Sequence, residues 1–183
     1  MAPKLSKKSK LIQSVLLYLD KWNKLERESK PLIQEILAAG KDVNKNDTNL
    51  EQLCEELKPV TDNFEEIINE LQKLFVKLEA AEKLANFSSS FNQSLDISTS
   101  SASNLTQDIA GVSITDNLLV VNQKLKSQYE LMITVRGKIG LTHDFDQRVF
   151  LACLWLHTPA CDDQYFNAVQ ALKLHYCESV PSE

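Results

Sequence analysis

Between Leu50 and Ala85 the apolar residues fall at Leu50, Leu53, Leu57, Val60, Phe64, Ile67, Leu71, Leu74, Leu78, Ala81 and Ala85, alternating steps of three and four without a miss. A seam repeating every three and a half residues puts all of these side chains on one face of a single long helix. Asp47 or Thr48 can cap its start, with Glu51 three residues after Thr48, where a capping box places its acid. The pattern ends near Asn86. Such a helix spans about 55–60 Å at 1.5 Å per residue, so it needs partners along its length. Ile68 and Phe75 widen the stripe beyond what a two-stranded zipper buries, which predicts several helices packed around it. Pro59 lacks an N–H and crowds the Glu55 carbonyl, which predicts a kink.

Upstream, the same spacing runs through Leu11, Val15, Tyr18, Trp22, Leu25, Leu32, Ile36 and Ala39, with Ser29 as its polar member and Gly40 as its stop. Pro31 either kinks this helix or splits it. The short polar stretch 41–46 makes the two helices antiparallel neighbours, so residues 10–86 read as a helical hairpin preceded by a disordered basic tail over 1–9. Residues 87–114 are rich in serine, and Phe91, Leu95, Ile97 and Leu105 keep no period, the texture of a flexible linker.

Order resumes with Thr115 or Asp116 as N-cap. Leu118, Val121, Leu125, Met132, Val135 and Ile139 then share a face interrupted by Gln128, and Gly140 closes that helix. Asp144 with Gln147 opens a short helix carrying Val149, Phe150, Cys153, Leu154 and Leu156, which Pro159 ends. Asp162 or Asp163 caps a last helix carrying Phe166, Val169, Leu172 or Lys173, and Tyr176. Residues 115–183 thus form a C-terminal helical unit. No alternating strand pattern appears, and the expected fold is all-α: a long antiparallel, coiled-coil-like hairpin with a C-terminal helical unit packed in a bundle.

The composition narrows the chemistry. A net charge of -5 gives no general attraction for nucleic acid, and no apolar run is long enough for a membrane span. Cys54, Cys153, Cys161 and Cys177 are too few and too unevenly placed for a disulfide scaffold, so free thiols and a cytosolic or nuclear location are expected. Cys153, His157 and Cys161 are zinc-ligand types, but Pro159 breaks the helix between the last two and no close cysteine pair exists, so no metal is expected. The glycines Gly40, Gly111, Gly137 and Gly140 are scattered, so no phosphate-cradling loop forms, and neither a cofactor nor an enzymatic activity is expected. Glu55, Glu56, Glu65, Glu66 and Glu70 read as the wet face of the central helix. Trp22 and Trp155, each on an apolar helix side, are core residues or partner-binding anchors.

Three motifs in order along the chain carry a family resemblance: Lys21-Trp22-x-x-Leu25, Leu50-Glu51-x-Leu53-Cys54-Glu55-Glu56-Leu57, and Trp155-Leu156-His157-x-Pro159. Together they resemble the cyclin-dependent kinase 2-interacting protein family over residues 12–177. The resemblance implies a non-enzymatic nuclear adaptor, with a cytoplasmic pool as a further location. Its implied partners are a cyclin-dependent kinase, a replication-initiation kinase and the ATR checkpoint pathway. It also implies an accessory role in a chromatin-associated AAA+ ATPase complex that supports DNA replication, repair and replisome proteostasis, with a link to ribosome biogenesis. Trp155, Leu156, His157 and Pro159 are the expected docking element, and Trp22, Leu53 and Leu57 the further interaction candidates. The alternative is a structural coiled-coil subunit of a tethering or kinetochore-type complex.

Overall fold

The structure, a computed structural model, describes residues 6–40, 47–95 and 113–178, leaving aside the side chains at 47, 48, 85, 86, 88–95 and 178. Five helices account for nearly all of them: α1 (Lys7–Ala39), α2 (Asp47–Leu95), α3 (Ile114–Lys138), α4 (Phe145–Leu156) and α5 (Asp163–Glu178). No strand occurs among the described residues. The all-α hairpin with a helical unit packed against it is the observed architecture.

Polar caps start four of the helices. Ser6 accepts the Ser9 N–H at 3.0 Å, so α1 begins at Lys7 and takes in part of the stretch expected to be a tail. Ser113, rather than Thr115 or Asp116, caps α3: its hydroxyl accepts the Asp116 N–H at 3.0 Å while the Asp116 carboxylate accepts the Ser113 N–H at 3.3 Å. Asp144 caps α4 through the Asp146 N–H at 2.9 Å, and Gln147, expected to complete the pair, instead accepts the Thr142 hydroxyl at 3.0 Å. Asp162 caps α5 by accepting the Tyr165 N–H at 3.2 Å. The cap expected at Asp47 or Thr48 rests on side chains outside those described.

Both internal prolines are accommodated. α1 passes through Pro31 and α2 through Pro59 without a break, and both rings are exposed, so each helix loses one backbone bond on its solvent side. The expectation that α2 ends near Asn86 is corrected: the helix continues to Leu95. Serine costs only a few tenths of a kcal/mol in a helix, and residues 86–95 contain neither glycine nor proline, so the serine run does not stop it. Of the expected linker 87–114, residues 96–112 lie outside the described residues.

The heptad seam of α2 faces two long neighbours at once. Lys8 of α1 pairs with Glu82 at 3.2 Å, and Trp22 lies on Phe64 with ring centroids 4.5 Å apart, so α1 runs antiparallel to α2. On the other side Thr115 of α3 donates to Glu82, and Arg136 reaches Asp62 at 3.8 Å, so α3 is antiparallel to α2 as well. Leu57, Phe64, Leu71 and Leu78 are completely buried between them. α4 packs on α1 and α3, and α5 packs on α3 and α1, so one apolar core runs through all five helices. The C-terminal unit is therefore docked on the hairpin.

α4 buries a different face from that expected, and α5 departs from its expected face at Phe166 alone. In α4 the buried set is Arg148, Leu151, Ala152 and Trp155, while Phe150 is 63% exposed. In α5 it is Tyr165, Ala168 and Leu172, with Val169 and Tyr176 partly buried and Phe166 58% exposed. Short helices offer two overlapping three-four registers, and an arginine on one of them disguised the face that the core selects.

Candidate functional site

Polar residues that interrupt the apolar stripes are where the C-terminal unit is fastened. Ser29, the polar member of the α1 stripe, accepts the Trp155 indole N–H at 2.9 Å and donates to the Glu26 carbonyl at 2.9 Å. Gln128, the polar member of the α3 stripe, is fully buried; its amide donates to the Leu154 carbonyl at 3.0 Å and its oxygen accepts the Ala160 N–H at 3.2 Å. One side chain thereby satisfies the end of α4 and the turn that follows. Thr61, also fully buried, donates to the Lys58 carbonyl at 2.8 Å just past Pro59 and accepts from Arg136. Buried polar groups with complete partners fix position where apolar contact alone would allow sliding.

Arg148 has the same role with a full charge. It is 5% exposed and donates from Nε to the Ile139 carbonyl at 3.2 Å, from Nη1 to the Gly40 carbonyl at 2.7 Å and from Nη2 to the Thr142 carbonyl at 2.5 Å. These oxygens belong to the C-terminal ends of α1 and α3 and to the loop after α3, where helix dipoles place negative potential, so a cation is favoured without a carboxylate. Gly40 is required by this contact. A Cβ there would lie 1.7 Å from Arg148 Nη1, although the Gly40 backbone itself is ordinary at φ -78°. Beside the guanidinium an open cleft of about 740 Å³ lies between α2 and the end of α3, lined by Cys54, Glu55, Lys58, Arg136, His143 and Arg148 among others. Burial pushes the Cys54 thiol up, against the pull of Arg148 and with a smaller push from Glu55.

A second groove, of about 330 Å³, lies between α1 and the α4–α5 turn and is lined by Trp22, Asn23, Glu26, Arg27, Thr158, Cys161, Tyr165 and Phe166. Trp22 is fully buried and its indole N–H has no acceptor among the described residues. Burial pushes the Cys161 thiol up to about 12, with Glu26 adding to it, and burial also raises the Tyr165 phenol. Both groups are neutral near pH 7.

The candidate interaction residues divide by exposure. Trp22, Leu57 and Trp155 are completely buried, and the two tryptophans flank Phe64, whose ring centroid is 6.3 Å from that of Trp155. The expectation of Trp155 as an accessible docking anchor is corrected: its ring sits in the core and its N–H is committed to Ser29. Leu53 and Leu156 are partly buried against the core, while His157 and Pro159 are exposed in the turn. Cys153, His157 and Cys161 are not gathered, and among the described residues no three His, Cys, Asp or Glu side chains converge as metal ligands. Nor is any helix among those residues long and apolar enough to cross a membrane.

Part of the exposed apolar surface lies on α2. Lys8 and Thr115 both meet Glu82, which places the first turns of α1 and α3 at that level, and α2 continues beyond them to Leu95. Leu84 is 67% and Phe87 72% exposed on this stretch. Arg148, Thr61 and the α2 extension were not singled out in the sequence. The usable signals were an arginine at the third position before Leu151 in an apolar helix, and the absence of any helix breaker between Asn86 and Leu95. No protein-family model matches this chain, and no curated protein matches it in sequence.

Proposed function

We propose that this chain is a non-enzymatic helical adaptor. The observation that carries the reading is the end of α2, which continues past the first turns of both neighbouring helices and presents Phe87 to solvent. An exposed apolar side chain on a helix that has left its bundle suits helix-in-groove or helix-on-helix recognition. The three-motif resemblance to the cyclin-dependent kinase 2-interacting protein family supplies the partners of the proposal. These are an AAA+ ATPase complex on chromatin, a cyclin-dependent kinase, a replication-initiation kinase and the ATR pathway, met in the nucleus during DNA replication. The ATPase supplies energy and this chain supplies placement.

Affinity purification of the full chain from cells, wild type beside Phe87→Asp, tests the reading. The wild type retains AAA+ ATPase subunits; the variant loses them while its far-UV circular dichroism is unchanged. Wild-type protein that brings down no ATPase subunit and no replication factor removes the support for this reading. A tight homodimer in light scattering at low concentration would favour the structural coiled-coil subunit instead.

A further inference from the structure

Thr158 is the one serine or threonine of this chain that precedes a proline; the other four prolines follow Ala2, Lys30, Lys58 and Val180. It stands in the turn between α4 and α5, flanked by His157 and Pro159, both exposed. Its φ of 43° is left-handed, a conformation disfavoured for a β-branched residue and further disfavoured before proline, where the chain prefers to be extended. The turn is held against that preference by the Cys161 N–H donating to the Thr158 carbonyl at 2.9 Å and by the hold of Gln128 on Ala160 at 3.2 Å. Local opening therefore lets Thr158 relax into the extended form that a kinase cleft accepts. Its hydroxyl makes no hydrogen bond among the described residues.

Across the groove, two carboxylates already have cationic partners. Glu26 is matched to Lys30 at 3.1 Å and Asp162 to Lys124 at 2.5 Å. Arg27, which lines the same groove as Thr158, is exposed and makes no ion pair among the described residues. We infer that Thr158 is a phosphoacceptor for a proline-directed protein kinase and that Arg27 receives the phosphate. In the transfer, Thr158 Oγ forms a bond to the γ-phosphorus of magnesium-bound ATP. The bond from that phosphorus to the β,γ-bridging oxygen breaks, ADP leaves, and the hydroxyl proton passes to the kinase's base. The phosphothreonine dianion then faces a guanidinium that can bind it bidentately, tying α1 to the α4–α5 turn.

The test uses the full chain incubated with a proline-directed kinase and magnesium-ATP. Intact mass and peptide mapping should find one phosphoryl group on Thr158, none in Thr158→Val, and incorporation about tenfold slower in a Pro159→Ala variant of unchanged helical content. In a phosphorus-31 titration the phosphothreonine should have a second pKa about half a unit lower in the wild type than in Arg27→Gln. No incorporation, or incorporation indifferent to Pro159→Ala, overturns the acceptor site. Equal pKa values in the two proteins overturn the role of Arg27.

Discussion

Arg148 shows how a single buried side chain can settle the placement of three chain segments. Its three carbonyl partners are helix-end and loop oxygens that would otherwise need another donor, and the guanidinium that satisfies them is almost fully buried. Arg148→Met keeps the apolar stem and removes every donor, so it should lower unfolding free energy by about 3 kcal/mol in urea titrations, more than an ordinary surface change. Gly40→Ala acts on the same joint from the opposite side, and displacing the guanidinium should cost about 1–3 kcal/mol. The Cys161 thiol gives a pH signature. Its folded pKa lies above its unfolded one, so its contribution to stability is complete below about 9 and is lost as pH rises toward about 12. The midpoint of unfolding should therefore fall over that alkaline range, and less steeply in Cys161→Ala. At neutral pH Cys161 should alkylate more slowly than the exposed Cys177, as followed by peptide mass.

Among the elements, α2 carries two features that work against local helix stability and are tolerated for different reasons. Pro59 sits on the exposed side, where it leaves the buried seam intact, and Thr61 two residues later bonds back to Lys58 and is met by Arg136 of α3. Proline in a helix interior is about 3 kcal/mol less favourable than alanine. Alanine recovers part of that and restores an N–H to the Glu55 carbonyl, while loosening the unfolded chain. Pro59→Ala should thus stabilise the protein by about 1–2 kcal/mol, seen as a higher thermal midpoint with unchanged spectra. Loss of stability on this substitution would mean that the seam depends on the shape proline imposes. The serine-rich end of α2 is helical because nothing in it breaks a helix.

Across the whole molecule, the hairpin and the C-terminal unit share one core. Trp22 from the first and Trp155 from the second meet the same ring, Phe64, so neither unit can lose its packing without opening the other. Unfolding should be a single cooperative transition. Fluorescence of Trp22 in Trp155→Phe, and of Trp155 in Trp22→Phe, should each coincide with far-UV circular dichroism of the same variant. Separated transitions would show two independent units. Trp155→Phe also removes the donor to Ser29 and leaves a smaller ring, and should cost about 2 kcal/mol.

Helical class, the three long helices, the antiparallel order of the first two and the buried seam of α2 were all legible in the sequence, because a period sustained over many turns admits only one face and a short connection admits only one direction. The polar members Ser29 and Gln128 were visible as exceptions to that period, but their partners were not, since Trp155 lies 126 residues from Ser29 and Leu154 lies 26 from Gln128. Tertiary structure alone decided that the C-terminal unit closes on the hairpin, that α4 turns Arg148 inward and Phe150 outward, and that Trp155 is core. A twelve-residue helix carries too few turns for its own pattern to choose a face. That choice is made by which side finds carbonyls, a serine and a phenylalanine ring already waiting, and those are supplied by residues far away in the chain.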